Sequence, residues 1–162
     1  MTNTDLLPDE MLEFDQWICW RVDTRDGKDG KIPMQADREQ TAKTTDPSTW
    51  SDYETALETA TEHNEFGLGF VFTENDPFVG SDLDDCRDPD TKEIDEWAQE
   101  IVDRLDSFSE VSPSGTGLHI IVRDVEVPDW WTNQKSGEKH IEVYDSERYF
   151  TVKMSPLEDT PI

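Results

Sequence analysis

The chain has 162 residues, of which 39 are acidic and 14 basic, and its formal net charge is -25. Its length suits one compact domain, and six tryptophans, seven phenylalanines and three tyrosines exclude an apolar-poor, disordered chain. The acids are spread along the sequence instead of forming a tail, which predicts an acidic surface adapted to a salty cytoplasm. Molar salt shortens the Debye length to about 3 Å and screens the self-repulsion of such a surface.

The N-terminus has no basic region followed by an apolar run, and no stretch approaches the roughly 20 apolar residues of a membrane span. We therefore expect a cytoplasmic protein without membrane contact. Cys19 and Cys86 are isolated and have no neighbouring His at zinc spacing, so we predict that both are buried apolar residues.

The N-terminal part of the chain predicts a hairpin followed by a helix. Residues 16–22 are rich in strand formers, and residues 26–30 supply turn residues before Lys31-Ile32-Pro33. Asp46-Pro47 is typical of a helix start. Apolar residues then follow at helical spacing: Trp50, Tyr53, Leu57 and Ala60.

The central part predicts two strands and the clearest amphipathic helix. Residues 66–73 form an apolar run, residues 74–77 form a turn and residues 78–84 form a second strand, which together indicate a buried hairpin. Apolar residues at intervals of three and four then predict a helix whose stripe packs on a sheet. These residues are Ile94, Trp97, Ala98, Ile101 and Leu105.

The C-terminal part predicts three strands, over residues 118–123, 141–144 and 148–152, with residues 145–147 as the turn between the last two. Residues 125–138 are interpreted as a long loop in which Trp130 and Trp131 either pack against the domain or face a partner. The sum is an α+β domain built on an antiparallel-rich sheet.

Asp82 and Asp84 lie two residues apart on a predicted strand, so both side chains emerge on one face while Val79, Ser81 and Leu83 occupy the other. This geometry suits shared metal ions. In so acidic a chain the spacing alone is weak, because solvated surface acids often share it by chance.

A calcium loop is an alternative reading of the same segment. Five acids fall at the ligand positions of a 12-residue stretch: Asp82, Asp84, Asp88, Asp90 and Glu93. However, Arg87 stands where the sharp turn needs Gly, Pro89 interrupts the loop, and a strand instead of a helix precedes it. These departures disfavour a calcium loop.

Ser112 to His119 forms a Gly-rich loop that opens directly into a strand. Gly115 and Gly117 permit close backbone approach, while Ser114 and His119 offer donors to an anionic oxygen. The segment predicts a phosphate site, with a hairpin turn beside a packed histidine as the alternative.

Glu142 alternates with Ile141 and Val143, so its carboxylate should point away from their face of the sheet. It can complete a metal site, and Arg148 beyond the next turn can pair with phosphate. A surface Glu–Arg pair is an equally natural interpretation of these two residues alone.

Taken together, these segments resemble the bifunctional primase-polymerase domains of the archaeo-eukaryotic primase superfamily, of the plasmid and phage type. Three motifs occur in the order seen in that family: Gly80–Cys86, Ser112–His119, and Ile141–Tyr144 through Arg148–Thr151. The resemblance extends upstream to Trp17–Arg21, Lys31–Pro33 and Ala42–Pro47.

The resemblance implies a site for two Mg²⁺ or Mn²⁺ ions. Asp82, Asp84 and Glu142 would be the metal-binding catalytic carboxylates. The incoming triphosphate would be held by Ser114, Gly115, Gly117 and His119, with Lys31, Lys43 and Arg148 as further phosphate or template contacts.

The family also implies a fold, a reaction and partners. The fold would be a sheet related to the RNA-recognition fold with an N-terminal α/β unit, over residues 1–162 as a single catalytic domain. The reaction would be template-directed nucleotidyl transfer in plasmid or viral replication, with single-stranded DNA and nucleoside triphosphates as substrates. A separately encoded helicase is one further partner to expect, on account of the short chain.

Two features depart from the family. Lys153-Met154 follows Thr151-Val152 where members commonly have Thr-Gly, and the chain ends soon afterwards, so we expect a domain without accessory or helicase regions, either truncated or working with separately encoded partners. The acidic surface also opposes binding of DNA phosphates, so stacking on Trp130 or Trp131 would have to contribute more. A non-catalytic replication or defence module and a two-metal phosphodiesterase therefore remain alternatives.

Overall fold

A computed structural model of the chain describes residues 9–25, 27–38, 40–63, 65–123, 140–144 and 148–152. The elements in chain order are β1 Trp17–Arg25, β2 Lys28–Met34, α1 Tyr53–Glu62, β3 Phe66–Phe72, β4 Phe78–Asp84, α2 Glu96–Leu105, β5 Ser109–Val111, β6 Leu118–Arg123, β7 His140–Tyr144 and β8 Arg148–Val152. The described part of the chain is therefore α+β, as predicted, with its strands divided between two antiparallel sheets instead of one.

The first sheet has the strand order β2-β1-β3-β8. Its β1–β2 hairpin closes with Arg25 opposite Lys28, which confirms the predicted opening hairpin. On one face, Trp17 and Phe70 are fully buried and pack with Tyr53 and Ala56 of α1. This aromatic cluster forms the larger core of the domain.

The second sheet has the strand order β5-β6-β4-β7, so β4 lies between β6 and β7. Helix α2 covers one face with the side chains of Ala98, Ile101 and Val102, which contact apolar residues of β4 and β6. This confirms the predicted amphipathic helix and its packing on a sheet.

The hairpin predicted for residues 66–84 is wrong, because β3 and β4 belong to different sheets. Between them, the Asp76 carboxylate accepts hydrogen bonds from the backbone N–H groups of Thr73 and Phe78, each at 2.8 Å. Gly80 of β4 then packs against an aromatic ring of the first sheet, since a Cβ atom there would lie 2.7 Å from the Phe72 ring. The two strands thus meet face to face instead of edge to edge.

The strands on either side of residues 145–147 are also separated, since β7 lies in the second sheet and β8 in the first. The predicted turn at residues 145–147 and the predicted loop at residues 125–138 lie outside the described residues. The same holds for Trp130 and Trp131.

The first helix begins later than predicted. Asp46 caps only a short 3-10 helix, Pro47–Thr49, and α1 starts at Tyr53 with Asp52 as its cap. The cause is the pairing of Ser51 with Trp17, whose backbone groups exchange hydrogen bonds of 3.0 and 2.8 Å. This bridge holds the chain extended between the two caps.

Cys19 and Cys86 are free and buried, as predicted. Neither described α-helix, at ten residues each, has the length and apolar character of a membrane span.

Candidate functional site

Four polar residues from four strands lie side by side across the second sheet. Asp82 on β4 is directly opposite His119 on β6 and Glu142 on β7, and His119 is opposite Glu110 on β5. Residues directly opposite in antiparallel strands project to the same face. Glu110, His119, Asp82 and Glu142 therefore form a polar row, and Asp84 shares its face because it lies two residues beyond Asp82.

The opposite face of the same strands is apolar. Val79 and Leu83 of β4, together with Ile141 and Val143 of β7, pack in the cluster beneath α2. This confirms the alternation predicted for β4 and β7, and it fixes the carboxylates of the polar row on the face away from α2.

The His119 ring is held by three neighbours. Its Nδ1 atom lies 3.2 Å from the carbonyl oxygen of Thr151, and its ring stacks on Phe150 with centroids 4.4 Å apart and planes 11° apart. Because a carbonyl only accepts, Nδ1 carries the proton of that hydrogen bond. The Nε2 atom then faces Asp82 Oδ1 at 3.4 Å.

Asp82 carries an oxygen whose polarity is not compensated within the described residues. Its Oδ1 atom is buried and has no hydrogen-bond partner there, because the 3.4 Å approach of His119 Nε2 lacks hydrogen-bond geometry. A buried carboxylate oxygen without a partner is costly. A cation bound at this oxygen would remove that cost.

Asp84 is affected by its acidic neighbours. Desolvation by the surrounding protein raises the pKa of this carboxyl, although its side chain is exposed at the surface, and the charges of Asp82, Asp85 and Glu142 raise the pKa further. His119 opposes the shift. The carboxylates on this face therefore repel one another, as expected for acids that share a cation.

Glu142 forms an ion pair with Arg148. Its Oε2 atom lies 3.8 Å from Arg148 Nη1, and both side chains are exposed. Within the described ranges, no three His, Cys, Asp or Glu side chains are arranged as a metal site. The oxygen donors fit Mg²⁺ or Mn²⁺ in type, and binding by all three acids would require Glu142 to turn from Arg148.

A cavity of about 330 Å³, here called the first cavity, opens beside the polar row. Four of the predicted site residues line it: Lys31, Asp82, His119 and Arg148. The other lining residues belong to segments that carry the family resemblance but were not assigned to the site: Thr44, Tyr149, Phe150 and Thr151. The cavity thus brings two cations and a histidine to one side of Asp82.

The first cavity does not include every residue predicted to bind nucleotide. Ser114, Gly115, Gly117 and Lys43 are absent from its lining. Lys43 lies next to Thr44 in the chain, and its carbonyl oxygen accepts a hydrogen bond from the Trp50 indole at 2.8 Å.

The Gly-rich loop is a tight connection between β5 and β6. Gly115 adopts φ +81° and its N–H donates to the Ser112 carbonyl at 2.9 Å, while Ser112 N–H donates to the Gly117 carbonyl at 2.9 Å. Thr116 N–H donates to Ser114 Oγ at 3.3 Å. These three donors already have partners, so in this structure the loop presents hydroxyl groups more readily than a set of converging N–H groups.

The loop is fastened to the end of β4. The Thr116 carbonyl accepts hydrogen bonds from the N–H groups of Cys86 and Arg87 at 2.9 and 3.0 Å. At Gly117 a Cβ atom would lie 2.6 Å from the Leu83 carbonyl oxygen, so only Gly allows this approach. The loop therefore lies beside Asp84.

The segment read as a possible calcium loop has a different structure. Asp82 and Asp84 belong to a strand, and Asp88 Oδ1 accepts hydrogen bonds from the N–H groups of Asp90 and Thr91 at 2.8 and 3.1 Å. Asp88 therefore stabilises a turn and does not converge with the acids of the strand.

Glu110 is the member of the polar row that sequence reasoning missed. Its side chain is 1% exposed, which is rare for Glu. The signal that would have found it is a short strand before the Gly-rich loop, paired with the strand after it.

Comparison with known proteins adds one relative. No protein-family model matches the chain. Over 141 residues, which cover 86% of the chain, it is 36% identical to the DNA primase-polymerase of Nitratiruptor phage NrS-1. The chain spans 19% of the length of that phage protein. The similarity supports a relationship between this segment and the primase-polymerases, in agreement with the resemblance of its three motifs.

Proposed function

We propose that this domain catalyses template-directed transfer of nucleotides to DNA, as a primase-polymerase in plasmid or viral replication. The observation that carries the proposal is the polar row, in which Asp82 lies between His119 and Glu142 and has a buried oxygen without a hydrogen-bond partner among the described residues. The similarity to a phage DNA primase-polymerase supports the same reaction.

Asp82 and Asp84 would hold Mg²⁺ or Mn²⁺, with Glu142 as the third carboxylate. When bound, such ions lower the pKa of an attacking hydroxyl and neutralise charge on the transferred phosphoryl group. Desolvation and the charges of neighbouring acids raise the pKa of Asp84, and a divalent cation bound beside it would offset both effects.

The first cavity would receive the triphosphate. Lys31 and Arg148 line it together with His119, so two cations and an imidazole ring adjoin the space beside Asp82. The carbonyl of Thr151 and the ring of Phe150 fix the orientation of His119. Ser114 belongs to the Gly-rich loop beside Asp84 and would contact phosphate there.

The fold would be that of the primase-polymerase core, with a sheet related to the RNA-recognition fold. Single-stranded DNA and nucleoside triphosphates would be the substrates.

A primer-extension assay tests the proposal. The purified protein is incubated in molar KCl with labelled nucleotides, primed or unprimed template, and Mg²⁺ or Mn²⁺. We expect metal-dependent extension by the wild type and its loss in Asp82→Ala and Asp84→Ala. Asp103→Ala is the matched control, because Asp103 is an exposed acid of α2 on the other side of the sheet.

The assay also separates the two alternatives. Shortening of the template, lost in the same two variants, would identify a two-metal phosphodiesterase. Binding of DNA without extension or shortening would identify a non-catalytic replication or defence module. Either result would overturn the proposed reaction.

A further inference from the structure

A second cavity, of about 510 Å³, lies next to the first, and Thr44 lines both. Its lining combines aromatic and other apolar side chains with side chains that can form hydrogen bonds. The residues are Asp15, Gln16, Thr44, Thr45, Pro47, Trp50, Phe72, Thr73, Glu74 and Asn75. None of the residues assigned above to metal or phosphate belongs to this set.

The two cavities differ in charge. The first has Lys31 and Arg148 in its lining, whereas the described residues that line the second include Asp15 and Glu74 but no Lys or Arg. Carboxylates repel phosphate. The second cavity therefore suits an uncharged part of a ligand whose charged part is bound in the first cavity.

Trp50 gives the second cavity a fixed aromatic wall. Its indole N–H donates to the Lys43 carbonyl at 2.8 Å, and its half-buried ring packs with Ile18 and Val71. Pro47 lies on the same stretch of chain and lines the same space. An aromatic ring that is fixed in this way can stack against a flat ligand.

Another part of the lining is fixed by a hydrogen-bond network. Gln16 Nε2 donates to the Val71 carbonyl at 2.7 Å and to Asp76 Oδ2 at 2.8 Å, and Asp76 Oδ2 also accepts from Thr73 N–H at 2.8 Å. Asn75 is exposed at the rim. An amide at that point matches the donor and acceptor pattern of a base edge.

We propose that the second cavity binds an unpaired nucleobase of single-stranded DNA, stacked on Trp50. The inference rests on the proposed function, because it places one template base beside the cavity assigned to the triphosphate. In molar salt, contacts to phosphate are weakened, so a stacked base would supply affinity that the acidic surface cannot.

Two DNA probes of equal length and charge test the proposal. One is a labelled oligothymidylate and the other is the same chain of abasic nucleotides. In molar KCl we expect the wild type to bind the first roughly tenfold more tightly, because stacking is lost with the bases. Trp50→Leu should bind the two probes alike, while Trp50→Phe, which retains an aromatic face, should keep most of the preference.

Trp20→Leu is the matched control. The Trp20 indole lies over Gly67 and donates to the Leu68 carbonyl at 3.0 Å, and Trp20 is absent from the lining of the second cavity. The melting temperature of each variant reports whether the fold is retained. Asn75→Ala is a second test variant, and it should leave the core intact because Asn75 is exposed. It should lower the preference for oligothymidylate severalfold.

The outcomes separate this inference from the proposed function. Equal binding of the two probes by the wild type would overturn the proposed base site, even if primer extension is normal. The base site would also be overturned if Trp50→Leu and Asn75→Ala both kept the wild-type preference for oligothymidylate. A preference that disappears in Trp50→Leu but persists in Trp50→Phe supports the base site, even if no extension is found.

Discussion

Asp82 on β4 and Glu142 on β7 are directly opposite each other in an antiparallel register, with His119 opposite Asp82 on the other side. A one-residue slip of either neighbouring strand would turn its polar residue towards α2. Val143 and Ile120, which pack beneath α2, oppose such a slip. The same apolar core that stabilises the sheet therefore also sets the position of the carboxylates.

Asp84→Asn should stabilise the metal-free protein at neutral pH. The pKa of Asp84 is raised in the folded state by desolvation and by neighbouring acids, so the stability of the wild type falls as the pH rises through that pKa. Removing the charge should raise the free energy of unfolding by on the order of 0.5 kcal/mol, a small effect because the side chain is exposed and screened. Urea denaturation in EDTA measures it, and the gain should vanish below about pH 4.

Asp88→Asn provides the control of opposite sign. Hydrogen bonds from the N–H groups of Thr91 and Asp90 lower the pKa of Asp88, so its charge favours the folded state and its removal should not stabilise. Equal stabilisation by both substitutions would point to general charge reduction instead of repulsion within the site.

Thr151→Val should raise the melting temperature. Thr151 is buried, and its Oγ1 atom has no hydrogen-bond partner among the described residues. Replacing the hydroxyl by a methyl group of similar size should gain about 1 kcal/mol. Thr151→Ser keeps the hydroxyl and loses the methyl group, so it should destabilise. Thermal denaturation of the three proteins checks the order, and a less stable Thr151→Val would mean that the hydroxyl has a partner such as an ordered water.

Gly117→Ala should destabilise the protein by about 1–3 kcal/mol, because its new Cβ would overpack a rigid contact. That atom would lie 2.6 Å from the Leu83 carbonyl oxygen and 3.1 Å from Ser112 Oγ. Gly30→Ala is the control, since its Cβ would meet only the Asp23 carbonyl at 3.8 Å. Chemical denaturation compares the two, and equal stabilities would contradict the close packing of the loop on β4.

Folding should depend strongly on salt. A net charge of -25 makes the compact state repel itself in dilute buffer, while molar KCl screens that repulsion. Circular dichroism at low and molar KCl measures the folded fraction. A chain that is equally folded in both solutions would remove the interpretation of a halophilic protein.

The sequence predicted the direction of the site carboxylates, because an alternating strand allows only two faces. Apolar neighbours of Asp82 and Glu142 identified the buried face. Which strands adjoin could not be predicted in the same way. The pairing of β4 with both β6 and β7 depends on contacts between distant segments, and Glu110 was missed for that reason.

The chain between β3 and β4 shows a second limit of local patterns. A short turn between two apolar strands usually indicates a hairpin, yet Gly80 lets the Phe72 and Phe150 rings pack on β4, and the sheets stack. Likewise, Lys31 and Thr44 come near the polar row only through tertiary packing, because they line the same cavity as Asp82 and His119. No periodicity in the sequence reports such proximity.

Binding of Mn²⁺ tests the central claim most directly, because its readout does not depend on catalysis. Electron paramagnetic resonance in molar KCl measures free Mn²⁺ during titration of the wild type, Asp82→Asn, Asp84→Asn and the control Asp103→Asn. We predict saturable binding by the wild type and Asp103→Asn, and a loss of at least tenfold in affinity, about 1.4 kcal/mol, in the other two variants. Equal Mn²⁺ binding by all four proteins would contradict the assignment of Asp82 and Asp84 as metal ligands.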